Sequence, residues 1–331
     1  LVNSLVNGIA NSQNLENPQK NLTIKCMVMP DEDVGLLKSF SENISIVEGN
    51  LNNKEDCNFF TQDSKGAILF HCAGIIHPKK VSDFYKINVQ GTTNILEEAH
   101  KCKIKRAIII SSNSPFGTNL SNNHTFDEHS DYNPYLNYGK SKMLMEKQAI
   151  KFAVDGKLEI VIIRAPWFYG PYQPLRQIRF YKMIRDGKVP IVGNGENMRS
   201  MACTINISQA LIRAALKEDL KNDIFWISDQ NPYSFNEIID IIRNVMEDEF
   251  DIKCKKRVLR LPGILSETAY IVDKIIQGFG FYNQEIHVLS EMNKTIACSI
   301  DKANSVLEYK PTLSLYEGTK VSIASALNYM K

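Results

Sequence analysis

Three short stretches decide the fold: Ala107-Ile-Ile-Ile-Ser-Ser112, Tyr138-Gly-Lys-Ser-Lys142 and Glu159-Ile-Val-Ile-Ile-Arg164. The first and the third are apolar runs of the kind found in strands that are buried on both faces. The second opens a segment that we predict to be helical. A strand, a helix and a second strand in this order predict a parallel sheet covered by helices.

The same alternation extends upstream of these stretches. The apolar runs predict strands at residues 23–29, 44–47, 67–72, 107–111 and 159–164. Residues 88–102 carry apolar side chains at helical spacing on one side and charged side chains on the other, which predicts a helix that packs by one face. We therefore predict an α/β fold with a Rossmann-like, doubly wound parallel sheet.

The pattern changes after Pro166, because glycine and proline residues interrupt it repeatedly between residues 170 and 195. We place a domain boundary there, between residues 1–165 and a smaller region at 166–331, and expect some segments of that region to return to the sheet. Further on, Ser234-Phe-Asn-Glu237 has the spacing of a capping box and predicts the start of a helix.

A second amphipathic run covers residues 264–279. Such a run can form a helix that lies on a membrane surface, or a helix that packs on the core of its own protein. We favour packing on the core, which is the commoner outcome.

The composition is that of an ordinary globular chain. Of 331 residues, 44% are hydrophobic and 23% are charged, so the chain can bury a full core. Lys plus Arg total 39 against 37 Asp plus Glu. The resulting net charge of +2 gives no broad basic field, so we expect no nucleic-acid partner.

The seven cysteines are odd in number and scattered, and neither they nor the histidines show the spacing of a metal site. We expect reduced thiols and no metal. No apolar run reaches the roughly 20 residues of a membrane-spanning helix, and residues 1–20 lack the pattern of a signal peptide. We therefore expect a cytoplasmic protein with no membrane partner.

Tyr138 and Lys142 are four residues apart and so share one face of the predicted helix. An ammonium near the phenol would favour its ionised form and lower its pKa, which is about 10 when unperturbed. The Ser112 hydroxyl, at the carboxyl end of a predicted strand, could hydrogen-bond the reacting oxygen. Together these side chains could move a proton while hydride moves to or from a nicotinamide.

A Tyr–Lys pair at this spacing is common, and an exposed helical pair without a function is its ordinary explanation. The context favours catalysis, because Ser111-Ser112 follow a strand, the pair opens a helix and a further strand comes next. The three elements form one strand–helix–strand unit.

The order of these segments resembles the extended short-chain dehydrogenase/reductase superfamily, which includes nucleotide-sugar epimerases and dehydratases and the 3β-hydroxysteroid dehydrogenases. The resemblance runs from about Thr23 to Tyr316. Besides the stretches above, it rests on Phe70-His-Cys-Ala-Gly74, Asn88-Val-Gln-Gly-Thr92, Arg164-Ala-Pro-Trp-Phe-Tyr-Gly-Pro171, Gly193-Asn-Gly195 with Arg199, and Asp301-Lys-Ala303.

The resemblance implies that residues 1–165 bind NAD or NADP and that residues 166–331 mainly bind substrate. It implies catalytic roles for Ser112, Tyr138 and Lys142, with Ser111 structural. The implied cofactor-binding residues are Asn50, Leu51, Cys72, Ala73, Gly74, Tyr138, Lys142, Pro166 and Trp167. The implied substrate-binding residues are Ser112, Asn113, Trp167 and Arg199. Plain packing at the strand ends is the alternative for the residues outside the catalytic set, and Asn88 is expected to tie neighbouring strands together.

The cofactor-binding part departs from the family pattern. Its glycine-rich turn, whose N–H groups bind pyrophosphate, is not in this chain, so we expect that turn and the first strand to lie before Leu1 and cofactor binding to be weak. Val28-Met29-Pro30 replace the acid or base that would select NAD or NADP. Both cofactors stay open, with NAD favoured, and Asn50 stands where the family has an aspartate.

The substrate-binding part departs too. Trp167 stands where many nucleotide-sugar enzymes have an asparagine. The tryptophan makes this wall of the expected substrate site more apolar, as a steroid-like alcohol would require. Arg199 favours a substrate phosphate instead.

Three hypotheses follow for the function. The first is an NAD(P)-dependent oxidoreductase or epimerase that acts on a secondary alcohol of a nucleotide sugar. The second is a 3β-hydroxysteroid-type dehydrogenase, and the third is a non-catalytic nucleotide-binding sensor or scaffold. A homodimer formed through the helices at residues 88–102 and 138–153 is an expectation from the superfamily.

Overall fold

The computed structural model describes residues 1–7 and 22–330, and in its first half strands and helices alternate. The strands are β1 (Ile24–Val28), β2 (Ile44–Glu48), β3 (Ile68–His71), β4 (Arg106–Ser112) and β5 (Glu159–Ala165). The helices are α1 (Val2–Asn7), α2 (Gly35–Phe40), α3 (Lys54–Thr61), α4 (Val81–Asp83), α5 (Thr92–Lys101) and α6 (Leu136–Val154). All the predicted strands are confirmed, with small shifts at their ends. The predicted helix at 88–102 is also present, but it continues a π-helix, Phe84–Gly91, and becomes an α-helix only at Thr92.

The second half has shorter strands and longer helices. The strands are β6 (Trp167–Tyr169), β7 (Pro190–Val192), β8 (Met198–Arg199), β9 (Met201–Cys203), β10 (Asp223–Trp226), β11 (Tyr233–Ser234) and β12 (Leu259–Leu261). The helices are α7 (Leu175–Arg185), α8 (Thr204–Leu216), α9 (Phe235–Phe250), α10 (Ile264–Gly278), α11 (Gln284–Glu291), α12 (Asp301–Val306) and α13 (Leu315–Met330). The predicted capping box of Ser234 and Glu237 is present at the start of α9.

Four parallel strands form the central sheet in the order β10-β5-β4-β3, and β1 and β2 form a second parallel pair. Helices cover both faces of the central sheet. Successive residues of a strand point to opposite faces and therefore contact different helices. Ile109 packs with α5 and α6 on one face, whereas Ile108 packs with α8 on the other. This is the doubly wound α/β arrangement that the sequence predicted. The C-terminal half supplies β10 and also builds its own core from α7, α9 and α13.

The amphipathic run at residues 264–279 forms α10, but it packs in the opposite sense to the prediction. Its buried face contains Ser266, Asp273 and Gln277, whereas Ile271 and Ile275 are exposed. The prediction of an apolar face packed on the core is therefore wrong. Periodicity shows that a helix has two unlike faces, but it does not show which face is covered.

Within residues 1–7 and 22–330, no helix is long and apolar enough to span a membrane. The same residues contain no group of three or more His, Cys, Asp or Glu side chains that could hold a metal ion.

Candidate functional site

Ser112 is the last residue of β4, and its pairing with Ala165 of β5 places it at the carboxyl edge of the sheet, where the parallel strands end. Ligands of such sheets bind at this edge. The Ser112 Oγ lies 3.3 Å from the Ser114 Oγ and 3.4 Å from the Asn113 Oδ1. Ser111 is buried, and its hydroxyl has no hydrogen-bond partner among the described residues.

The first turn of α6 lies directly against the segment that follows Ser112. The Tyr135 N–H donates to the Ser114 carbonyl at 2.9 Å. A Cβ at position 139 would lie 2.3 Å from that carbonyl oxygen, so only glycine allows this approach. Gly117 meets a similar restriction, because its φ is +73° and a Cβ there would lie 2.6 Å from the Asn133 carbonyl oxygen. These contacts bring Tyr138 to Ser112.

Tyr138 is half-buried, and its phenol lies close enough to Ser112 for that hydroxyl to favour the ionised form. Burial raises the pKa of its phenol to about 12 and the charge of Glu291 adds to this rise, while the Ser112 hydroxyl and the positive charge of Arg176 act in the opposite direction. Arg176 is an exposed residue in the first turn of α7. The structure therefore differs from the expectation of a lowered pKa, because burial outweighs the nearby positive charge.

Lys142 lies one turn further along α6 and is buried. Its ammonium donates to the Ile110 carbonyl at 2.8 Å and lies 3.0 Å from the Met145 sulfur. Burial lowers the pKa of Lys142 to about 8, against the opposing charge of Glu146. The Lys142 ammonium was expected near the Tyr138 phenol, but it contacts the end of β4 instead. The flexible lysine side chain reaches the Ile110 carbonyl, which is a strong acceptor.

His71 ends β3 beside this group and is buried. Its Nε2 lies 2.8 Å from the Thr92 Oγ1, and that hydroxyl donates to the Asn88 carbonyl at 2.7 Å. The hydroxyl therefore accepts from Nε2–H, so the imidazole is the Nε2-protonated tautomer. Burial, together with the charge of Lys142, lowers the pKa of His71 to about 3.

The next three residues, Cys72, Ala73 and Gly74, are exposed along the carboxyl edge. Asn88 holds this loop in place, because its amide accepts from the Ile75 N–H at 2.8 Å and donates to the Ser141 Oγ at 3.1 Å. A Cβ on Gly74 would lie 3.1 Å from the Asn88 Oδ1. Asn88 thus ties the loop after β3 to α6, whereas the prediction was that it would tie neighbouring strands together.

Asn50 and Leu51 lie in the turn after β2. The Asn50 amide oxygen accepts from the Asn52 N–H at 2.9 Å, and the Leu51 carbonyl accepts from the Asn94 amide at 2.8 Å. Both groups are therefore engaged in shaping the turn.

The predicted substrate residues of the second half pack into the protein. Pro166 is buried between β5 and β6, and Trp167 is half-buried, with its ring 5.4 Å from that of Phe180. Arg199 is buried and donates from its guanidinium to the carbonyl of Glu291, at the C-terminus of α11. Its Nε has no partner among the described residues. The positive charge of Arg199 therefore lies against a helix C-terminus, where cations are favoured.

With this geometry established, sequence comparison gives the family. A family model described as "NAD dependent epimerase/dehydratase family" matches residues 6–228. The chain belongs to this family.

Several relatives align with most of the chain. The uncharacterized protein y4nL of Sinorhizobium fredii is 46% identical over 301 residues, covering 91% of this chain and 84% of that protein. The UDP-glucose 4-epimerase of Vibrio cholerae is 23% identical, with 91% and 88% covered. The 3beta-hydroxysteroid-dehydrogenase/decarboxylase isoform 1 of Arabidopsis thaliana is 25% identical, with 89% and 70% covered.

Solved structures support the fold. The UDP-glucuronic acid 4-epimerase of Bacillus cereus in complex with NAD superposes with a TM-score of 0.71 at 20% identity, covering 93% of this chain and 90% of that one. The dTDP-glucose 4,6-dehydratase of Bacillus anthracis in complex with NAD gives a TM-score of 0.73 at 17% identity, with 94% and 89% covered. At these identities the likeness shows a common Rossmann-type fold.

In this epimerase/dehydratase family member, the sequence interpretation missed a buried ion pair formed by a residue of α6. Glu146 and Arg164 are 2.8 Å apart and almost fully buried. The Tyr132 hydroxyl donates to Glu146 at 2.7 Å, and the guanidinium lies 4.2 Å from the centre of the Phe116 ring. Glu146 follows Lys142 by four residues on α6, so helical spacing could have identified it.

A second missed contact holds the residue before Tyr138. Asn137 donates from its backbone and side-chain nitrogens to the Gln277 Oε1 of α10, at 3.1 and 2.9 Å. The Tyr85 hydroxyl donates to the Asn137 Oδ1 at 2.6 Å. Asn137 and Gln277 are 140 residues apart in the chain, so no local pattern signals this contact.

Proposed function

We propose that this protein is an NAD(P)-dependent enzyme that oxidises a secondary alcohol of a nucleotide sugar in an epimerase, dehydratase or dehydrogenase reaction, with Ser112, Tyr138 and Lys142 as its catalytic residues. The observation that carries the proposal is the placement of Ser112 beside the Tyr138 phenol at the carboxyl edge of β4, one helical turn from the buried Lys142 ammonium. Family membership and the relatives named as UDP-glucose 4-epimerase and dTDP-glucose 4,6-dehydratase support it.

The residues at the carboxyl edge fit a nicotinamide cofactor. Cys72, Ala73 and Gly74 present small, exposed residues beside β4, and Gly74 approaches Asn88 so closely that a Cβ would contact the amide oxygen. NAD, when bound, accepts or returns the hydride of the reacting carbon. Lys142 would hold its ribose, while Pro166 and Trp167 would border its nicotinamide and Asn50 and Leu51 its adenine.

The side chains of the chain itself would handle the proton. The Ser112 hydroxyl would donate to the substrate oxygen and hold it against Tyr138, which takes the alcohol proton as the carbon loses hydride. This requires the phenolate, which burial disfavours. The positive charge of Arg176, which already acts on the phenol, would supply opposing stabilisation, and Lys142 would add to it on moving from the Ile110 carbonyl towards the phenol. Asn113, Trp167 and Arg199 would contribute to substrate binding.

Replacing the phenol by a benzene ring tests the catalytic role. Turnover of UDP-glucose or dTDP-glucose with NAD, followed by NMR of the sugar products, should fall about 10²- to 10⁴-fold in Tyr138→Phe, the range for loss of a general acid–base group. The exposed Tyr329 provides the matched control, Tyr329→Phe, which should keep its activity. Stabilisation by NAD against thermal unfolding should persist in both variants. Full activity in Tyr138→Phe would refute the mechanism.

A second candidate is an apolar alcohol, such as a 3β-hydroxysteroid. The half-buried ring of Trp167, packed with the aromatic rings of Phe180 and Phe235, favours it. Thermal stabilisation by UDP separates the two, because a nucleotide-sugar enzyme should be stabilised by UDP and a steroid enzyme should not. No binding of NADH or NADPH to the protein would favour the non-catalytic hypothesis instead.

A further inference from the structure

The polar side of α10 faces the protein. The Ser266 hydroxyl donates to the Leu289 carbonyl at 2.8 Å, and the Gln277 amide donates to the Asp273 Oδ1 at 2.9 Å. Asp273 is fully buried and lies 2.7 Å from the Nδ1 of His287 on α11. Burial opposes protonation of that imidazole, but the hydrogen bond to Asp273 and the charge of Glu291 raise its pKa. The inner face of α10 is thus satisfied by specific polar contacts.

The apolar side of α10 faces outward. Ile264, Ile271 and Ile275 are 71%, 58% and 55% exposed, and their spacing of seven and four residues makes them one stripe along the helix. The stripe continues into the turn after the helix, where Phe279 and Phe281 are 78% and 61% exposed. We call these five side chains the apolar patch. A contiguous exposed patch of this kind marks an interaction surface.

Lysines border the apolar patch. Lys79 and Lys80 are exposed and lie beside its aromatic end, because Lys80 forms an antiparallel bridge with Phe281 and the Lys79 carbonyl accepts from the Tyr282 N–H at 3.1 Å. Lys274 is exposed on the flank of α10.

The carboxylates of α10 do not offset these charges. Glu267 is paired with Lys294, and Asp273 is buried against His287. The exposed rim formed by these lysines is therefore positive.

We propose that the apolar patch and its lysine rim dock this protein on the surface of an anionic lipid bilayer. Isoleucine and phenylalanine side chains would enter the boundary between headgroups and acyl chains, while the lysines contact lipid phosphates. The positive rim favours an anionic bilayer as the occupant, because lipid phosphates would neutralise these lysines. Docking on a surface needs no spanning helix, so it agrees with the absence of one in the described residues. The proposal differs from the expectation that the protein has no membrane partner.

Sedimentation with vesicles tests the docking. The protein should sediment with phosphatidylcholine–phosphatidylglycerol vesicles and stay in solution with phosphatidylcholine vesicles. The variant Ile271→Asp/Ile275→Asp should lose at least tenfold in vesicle affinity, since it places two carboxylates in the apolar patch. Both side chains are exposed, so the thermal unfolding midpoint should be kept. Leu120, 93% exposed and outside the patch, gives the matched control Leu120→Asp, which should bind as the unmodified protein does.

The lysine rim is tested separately. Lys79→Ala and Lys80→Ala should each weaken binding about fivefold, and added salt should weaken it further. No sedimentation with anionic vesicles, or unchanged binding by the aspartate variant, would overturn the proposal. So would light scattering that shows a dimer in the unmodified protein and a monomer in Ile271→Asp/Ile275→Asp, because the patch would then be the interface between two copies. These outcomes do not depend on whether the enzyme turns over a nucleotide sugar.

Discussion

Burial favours the neutral form of the titratable side chains at the carboxyl edge of the sheet. It raises the pKa of Tyr138 to about 12 and lowers the pKa of Lys142 to about 8 and that of His71 to about 3. Each shift favours the neutral form, as desolvation requires. A base at position 138 therefore depends on positive charge near the phenol, and the charge of Arg176 already acts on it against that of Glu291.

The burial of His71 can be tested through the pH dependence of the free energy of unfolding. The folded pKa of His71 lies below its unfolded value of about 6.5, so the folded state binds fewer protons. Stability is therefore present above about pH 6.5 and is lost as the pH falls towards 3. At pH 5 the loss from this residue should be about 2 kcal/mol in the free energy of unfolding.

Urea unfolding of the unmodified protein and of His71→Gln, at about pH 7.5 and 5, measures this loss. His71→Gln should show a smaller loss between the two pH values by about 2 kcal/mol. The exposed His129 provides the control His129→Gln, which should follow the unmodified protein. Equal losses in all three proteins would contradict a buried neutral imidazole.

Sequence spacing alone predicted that Ser112, Tyr138 and Lys142 lie at the carboxyl edge of the sheet, because the geometry of helices and strands is local. The direction of the Tyr138 pKa shift was not predictable in the same way. It depends on the burial created by distant segments, and Arg176 and the Asn137–Gln277 contact come from chain positions with no regular spacing to Tyr138.

At the scale of elements, the approach of α6 to the end of β4 sets the geometry of the site. The Ser114 carbonyl accepts from Tyr135 at the start of the helix, and Gly139 leaves the room for that contact. Two turns further along the same face of α6, the Glu146–Arg164 pair fixes the helix to β5. The helix α6 is thus held at two points along one face by contacts that leave little freedom of position.

Gly139→Ala tests the close approach. The added Cβ would lie 2.3 Å from the Ser114 oxygen, so α6 must move away and carry Tyr138 from Ser112. A displacement of roughly 1 Å can cost about 10²-fold in catalysis, and kcat/KM should fall by this order. Gly278, the last residue of α10, has nothing within 4 Å of its ideal Cβ, and Gly278→Ala should leave activity unchanged. Equal activities for the two variants would argue against the role of the contact.

The elements differ in how well the sequence predicted them. Strands of the central sheet are confirmed because strands buried on both faces are apolar throughout, and the start of α9 is confirmed because a capping box is local. The predicted packing of α10 was wrong. Which face of this helix is buried depends on contacts with other segments, such as Asn137 and His287, and not on the sequence of the helix itself.

At the scale of the whole molecule, the two halves of the chain share one sheet. The C-terminal half contributes β10, which pairs with β5, and its Trp226 is fully buried with its ring 5.1 Å from that of Phe116. Residues 1–165 would therefore leave β5 with an open edge if they stood alone. This shared sheet implies that the two halves unfold in one cooperative step.

The two tryptophans of the chain make that cooperativity measurable, because Trp226 lies in the sheet and Trp167 packs against the C-terminal core. Trp226→Ala should cost about 3–5 kcal/mol in the free energy of unfolding, as for other large buried aromatic residues. In this variant the fluorescence of Trp167 reports only the C-terminal core. If the halves unfold together, the urea midpoint of the Trp167 fluorescence transition should fall by the amount that the full destabilisation requires. It should also coincide with the midpoint of the loss of far-ultraviolet circular dichroism. Leu120→Ala, at an exposed position, should leave that midpoint in place. A Trp167 midpoint that Trp226→Ala does not move would mean that the C-terminal core folds independently of the sheet it completes.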